Sequence, residues 1–407
     1  MSLLRAPGLK ALILAEVISS LGTRMTFLAL PWFVLATTGS AAKMGVVLAV
    51  ELTPVALLGI PSGTVVSRLG ARRTMLVGNL ARAPLMASIP LLHSTGRLSF
   101  GVLLAIVAVI GCFLAPDFAA QRLVLPELVG EDERLVAQAN ALFEGAQRAT
   151  SLLGPAAAGL LIAAIGATNV LYVDAATFLI AFAILALFVP QKPPLPASDE
   201  GRGVLAGVRF VLRDRLLTTL ACTSLLANGF GQMLSAGLPV LAFQEYGASS
   251  RVAGVLFASF GAGAVAGSIV AVKIVPRYEP IRLGAVSFVL LTIPIWLLAF
   301  PLPAWAVVLV LFASSFFGPL VNAPLIGVIT MRTPLELRAK VMTAVITTAL
   351  LAGPLGMLLA GQLLEAWGPH EVFLLVAAGQ LAATIPFAAV AFRGPAGPAQ
   401  PEAEPAA

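Results

Sequence analysis

The chain has 407 residues, of which 59% are hydrophobic and 11% charged, with 25 Lys and Arg against 19 Asp and Glu. A soluble domain carries roughly 25% charged residues, so a mean hydropathy of +0.98 excludes an ordinary water-soluble fold. The net charge of +6 sits in short loops between apolar runs, the pattern of loops at a cytoplasmic membrane face, and no nucleic-acid partner is expected.

One bilayer crossing takes about 20 mostly apolar residues. Apolar runs broken by Gly, Pro and charge predict helices over 9–36, 41–66, 73–93, 99–120, 135–165 and 168–189, then over 216–243, 250–275, 281–301, 303–330, 336–366 and 370–392. The first run is too long for a signal-peptide core and leads into no polar mature domain, so it is expected to stay in the membrane. The expected organisation is a six-helix bundle over 1–190, a linker over 191–215, a second six-helix bundle over 216–393 and a disordered Pro/Ala tail over 394–407. Within the linker, Val204, Leu205, Val208, Val211 and Leu212 share one helical arc opposite Arg202, Arg209 and Arg213, an amphipathic pattern suited to the inner membrane surface.

Odd–even alternation puts 19 loop Lys and Arg on one side, among them Arg68, Arg72, Arg73, Lys273, Arg277, Arg332 and Lys340. Lys43, Arg97 and Arg251 fall on the other. This bias makes the first side cytoplasmic, with both termini inside. Cys112 and Cys222 are solitary in apolar runs and read as small buried residues without a disulfide or metal motif. His93 and His370 fall in predicted loops without metal-ligand neighbours. No nucleotide-binding loop, nucleophile elbow, catalytic cluster, metal site or cofactor motif is present in the pattern.

The halves repeat. Gly154-Pro155 followed by Gly159 and Gly166 recurs as Gly353-Pro354 followed by Gly361 and Gly368, and parallel repeats of this kind place a substrate site between them near the midplane. The loop after helix 2 runs from Gly63 through Ser67, Arg68 and Gly70 to Arg72 and Arg73. It resembles the G-x-x-x-D-R-x-G-x-R-R signature of the major facilitator superfamily, with Ser67 where the family usually has Asp. Ser20-Leu-Gly22-Thr-Arg24, Leu30-Pro31-Trp32, Ala115-Pro116, Ala139-Asn140-Ala141 and Gly154-Pro155 are similar to a branch of bacterial exporters that includes the enterobactin exporter, macrolide efflux proteins and Tap-type multidrug pumps. Gly154, Pro155 and Gly159 form a partial copy of the superfamily's antiporter motif, and Thr23 replaces an acid usual beside Arg24.

The resemblance implies two pseudo-symmetric six-helix bundles alternating about a central site. Ionisable groups in membrane spans are costly and mark partners or pathways. The candidates are Glu16, Arg24, Glu51, Arg82, Asp117, Glu144, Arg148 and Asp174, all in the first half. Glu16, Arg24, Glu51, Glu144 and Arg148 are read as cavity and proton-coupling residues, although Glu144 and Arg148 at i,i+4 are equally placed to neutralise each other. Asp117 is expected to pair with Arg68 or Arg72 as part of the cytoplasmic gate, and Asp174 to meet lipid headgroups or the pathway. The second half offers Asn228, Gln232, Met233, Phe316 and Asn322 as a substrate wall.

The expected activity is proton-coupled efflux of an amphipathic small molecule by a monomer in the bacterial inner membrane. An importer or lipid flippase of the same fold is the alternative, and a membrane enzyme or receptor a more distant one.

Overall fold

Backbone amides in lipid must be satisfied within the chain, which leaves long apolar runs the helix as their solution. The computed structural model describes residues 8–129, 133–191, 204–334 and 337–393; the linker over 192–203 and the tail over 394–407 lie outside the described residues. Fourteen α-helices run along the described residues: α1 (Leu9–Thr38), α2 (Ala41–Leu69), α3 (Ala71–Ser94), α4 (Phe100–Val129), α5 (Glu133–Ile165), α6 (Ala167–Phe188), α7 (Val204–Arg213), α8 (Arg215–Glu245), α9 (Ser250–Ile274), α10 (Pro280–Thr292), α11 (Ala304–Phe316), α12 (Gly318–Arg332), α13 (Arg338–Ala366) and α14 (Pro369–Arg393). They supply twelve stretches long and apolar enough to cross a membrane, and the described residues contain no strand.

One predicted helix is broken. The run over 303–330 divides at Phe317 into α11 and α12, with Pro319 in the first turn of α12. Proline has no N–H to donate and its ring crowds the carbonyl four residues back, so the helix restarts there. Pro294 likewise ends the preceding span in a 3-10 turn, Pro294–Ala299.

Helices α1–α6 pack on one another, as do α8–α14, and the two groups meet mainly through α2 against α13 and α5 against α9. Among the described residues the apolar core has three parts. One shared core draws Leu30, Phe33 and Met44 from the first group and Leu238, Phe257 and Met357 from the second. At the end of the molecule carrying Arg68, Arg72 and Lys340, which we call the basic end, each group has a separate core. Leu12, Met75 and Leu125 belong to the first, and Leu217, Phe288 and Phe387 to the second. The groups are therefore joined at the opposite, sparse end and part toward the basic end.

The amphipathic α7 lies against α8 and α13 at the basic end. Gly207 sits on the Lys340 backbone and Val211 enters the second group's core, while Arg209 and Arg213 stay exposed. Its neighbour Asp214 caps α8 by accepting from the amides of Leu216 (2.8 Å) and Leu217 (3.1 Å), satisfying two otherwise free helix-start donors. Around the outside, side chains such as Leu187 and Val272, each 75% exposed, face where lipid takes the place of water. Cys112 and Cys222, read above as buried, are exposed free thiols: small side chains on membrane spans need no protein cover when lipid surrounds them.

Candidate functional site

The sparse end is sealed by close backbone contact. Gly45 of α2 faces Gly361 of α13, and Gly159 of α5 faces Gly254 of α9; a Cβ on any of the four would collide with the opposing backbone. Ser250 Oγ donates to the Gly159 carbonyl at 3.1 Å. Edge-on ring pairs extend the seal, Trp32 with Phe243 at 5.6 Å and Phe27 with Phe257 at 5.8 Å between centroids. Above the Gly45–Gly361 contact, Glu365 of α13 reaches across to the start of α2. One carboxylate oxygen accepts from Ser40 Oγ (2.5 Å) and from the Ala42 amide (2.7 Å). An anion at a helix N-terminus meets free N–H donors and the positive end of the dipole, so Glu365 is a latch between the two groups.

Among the described residues, the basic end has no such closure at its motif positions. Gly63, which opens the motif, has nothing near its missing Cβ among the described residues. Ser67 Oγ bonds back to the Thr64 carbonyl of its own helix (3.0 Å), and Arg68 is exposed. Gly70 turns α2 into α3 at φ 83°, a conformation open to glycine at little cost. Arg72 donates to the Ala186 carbonyl of α6 at 2.9 Å, tying the motif to its own helix group. The expected pairing of Asp117 with Arg68 or Arg72 is not the one formed. Asp117 pairs with Arg82 of α3 instead, Nη2 to Oδ2 at 2.9 Å, because α3 presents Arg82 deeper in the span, beside α4.

Arg82 is the hub of a buried polar cluster. It is 1% exposed, beside Asp117 at 4% and Glu16 at 3%. Its Nε donates to the Gly78 carbonyl (3.2 Å) and its guanidinium lies over the Phe178 ring, 4.5 Å from the centroid. Gln121 adds a second bond to Asp117 Oδ2 at 3.3 Å, and Ser19 donates to Asn79 at 3.2 Å, binding α1 to α3. Asp174 of α6 is fully buried and accepts from Thr26 (2.6 Å) and Thr177 (3.2 Å), so it is part of the interior and meets no headgroup. Glu16 and Asp174 both feel the charge of Arg82, and Glu51 that of Asp174. One guanidinium cannot neutralise four carboxylates, and unpaired buried charge is costly.

The remaining candidates are spread over α1, α5, α8, α11 and α12. Arg24 and Glu144 are exposed. A Cβ at Gly154 would strike Arg24, so α5 lies directly on α1 there. The pairing of Glu144 with Arg148 open at i,i+4 is not used: Arg148 Nη1 donates to Ser268 of α9 at 2.6 Å, a strut between the groups. In the second group Asn228, Gln232 and Phe316 are half-buried and Asn322 is exposed. Met233, expected on the substrate wall, is 4% exposed within the shared core; it follows Gln232 by one residue and so points about 100° away around α8. Phe316 stacks edge-on with Phe317 at 5.3 Å beside the break between α11 and α12.

Residues 1–401 match the family described as transmembrane secretion effectors. The chain belongs to that family. It is 30% identical over 379 residues to the multidrug efflux pump Tap of Mycolicibacterium fortuitum, covering 89% of this chain and 90% of Tap. The enterobactin exporter EntS of Shigella boydii serotype 18 is 30% identical over 289 residues, 69% of this chain and 67% of EntS. In fold, a mutant of the nucleoside transporter NupG superposes with a TM-score of 0.80 at 12% identity, covering 94% of this chain and 99% of NupG. This secretion-effector family member is a multi-pass transporter of the major facilitator type and not an enzyme.

Sequence reasoning assigned no role to two residues that organise the site. Arg82 was one ionisable residue among several, and nothing in one dimension marks it as the partner of Asp117. Glu365 lies 325 positions from Ser40. The signals available were an arginine amid the apolar run of α3 and an acid at the far end of α13.

Proposed function

We propose that this transporter exports amphipathic small molecules across the bacterial inner membrane in exchange for protons, as a monomer, by alternating access of two six-helix bundles. The observation that carries the reading is the arrangement of cores: joined at the sparse end, separate at the basic end. A carrier must expose its site to one side at a time, and a seal of backbone contacts and hydrogen bonds at one end can be exchanged for one at the other. The bias of Lys and Arg toward the basic end supports placing that end, and both termini, in the cytoplasm. The protein is then inward-open, and Ser67 awaits engagement at the start of α13 when the basic end closes.

The first bundle's carboxyls supply the proton sites, with Glu16 central and Arg24, Glu51, Glu144 and Arg148 contributing. The second bundle supplies the less polar wall, with Asn228, Gln232, Phe316 and Asn322. Tap and EntS, both named as exporters, support the outward direction and an amphipathic cargo. The test is dye transport in oriented vesicles. Everted vesicles with an acidic lumen should accumulate an amphipathic dye such as ethidium, and Glu16→Gln should weaken that accumulation more than dye binding. Accumulation confined to right-side-out vesicles would replace export with import or lipid flipping.

A further inference from the structure

We propose that Glu16 and Asp117 together form one proton site, a single exchangeable proton held between Glu16 of α1 and Asp117 of α4, with Arg82 as a fixed positioning charge. The inference rests on the proton-coupled reading above and extends it to a residue assigned so far to the gate. Both hydrogen bonds to Asp117 end on Oδ2, from Arg82 at 2.9 Å and Gln121 at 3.3 Å. Among the described residues its other oxygen, Oδ1, is buried without a partner, and so is Oε2 of Glu16. Buried acceptors without partners are uncommon, and each calls for a physical reason.

The surroundings keep the two oxygens available. Oδ1 lies over Gly78, where an added Cβ would stand 3.7 Å away. The Ser19–Asn79 bond holds the turn of α1 after Glu16 against the turn of α3 before Arg82, and Glu16 lies within the electrostatic influence of both Asp117 and Arg82. Arg82 is fixed by Asp117, by the Gly78 carbonyl and by the Phe178 ring. Two carboxylates against one immobile guanidinium leave one surplus negative charge, and one proton removes it. Binding is simple protonation of the pair, and release returns the proton to water in the open cleft. Other charged or polar groups face the pair from further off. Asp174 of α6 is already bonded by Thr26 and Thr177, Glu51 of α2 acts through Asp174, Gln147 of α5 is bonded to Ser20, and Glu144 of α5 is exposed.

The test uses the full chain in lipid nanodiscs with protons as the only ligand, read by infrared titration of the carboxylic-acid carbonyl stretch. The wild type should show a titrating band that either Glu16→Gln or Asp117→Asn abolishes, the double variant losing nothing more. Because Asp117→Asn strands Arg82 and could prevent folding, carboxyl-13C labelling of glutamate, and separately of aspartate, in the unmutated protein gives a second readout. Each label should shift that same band. Two bands that shift and vanish independently would overturn the shared site, as would displacement of the band by sodium at fixed pH. No transported compound enters the measurement, so failure of a pH gradient to drive export would strike the proposed function and not this site.

Discussion

Replacing Glu365 by glutamine removes one charge from the sparse-end latch and leaves an acceptor oxygen of the same reach. The bonds from Ser40 Oγ and the Ala42 amide can re-form; the attraction between an anion and the start of α2 cannot. That attraction is worth about 0.3–1 kcal/mol at an exposed helix end. At about 1.4 kcal/mol per tenfold, it should raise the population open at the sparse end about twofold to fivefold. Glu365→Ala also removes the acceptor, and loss of a helix cap costs about 0.5–2 kcal/mol. Its effect should exceed that of the glutamine variant. Spin labels at Arg97 and Trp305, on opposite groups at this end, would report the change as growth of a longer distance by double electron–electron resonance. Salt screens exposed charges, so the glutamine effect should shrink as ionic strength rises. An unchanged distance distribution in both variants would refute Glu365 as a latch.

Glycine contacts test the same seal without charge. Gly159→Val or Gly45→Val should weaken sparse-end closure more than Glu365→Gln, seen as increased labelling of a cysteine introduced beside the contact, because the added side chain meets opposing backbone. Ser67→Asp puts an anion at the motif position proposed to engage the start of α13 on closure, and should shift the carrier toward closure of the basic end, shortening distances between labels on α4 and α12. For topology, in a background lacking Cys112 and Cys222, a cysteine at Ser94 should react with an impermeant reagent in intact cells and one at Glu279 only after permeabilisation. Labelling at Glu279 in intact cells would invert the orientation.

The number of spans, their rough limits and the basic bias were legible because each depends on local composition, which the bilayer reads directly. The break at Phe317 was not, although Gly318-Pro319 marks it, since proline is often tolerated within membrane helices: Pro31, Pro155 and Pro354 all lie inside unbroken ones. Pairing was the least legible. The charge at position 117 could be seen, but its partner depended on how far α3 and α4 are rotated and shifted relative to each other, which apolar periodicity fixes poorly when lipid covers half of each helix. The same limit misplaced Met233 and left open a pairing of Glu144 with Arg148, whose guanidinium reaches α9 instead. Gly159 was legible as part of a motif, while its role against Gly254 required the fold.

Proton-driven export is tested most directly by reconstituting the purified protein in liposomes and following an amphipathic dye while the pH gradient alone is varied. For a neutral dye and one proton per cycle, one pH unit, about 1.4 kcal/mol, should sustain at most an about tenfold dye gradient toward the acidic side. That gradient should collapse when nigericin dissipates the pH difference. Dye gradients indifferent to nigericin, or directed away from the acidic side, would contradict proton antiport.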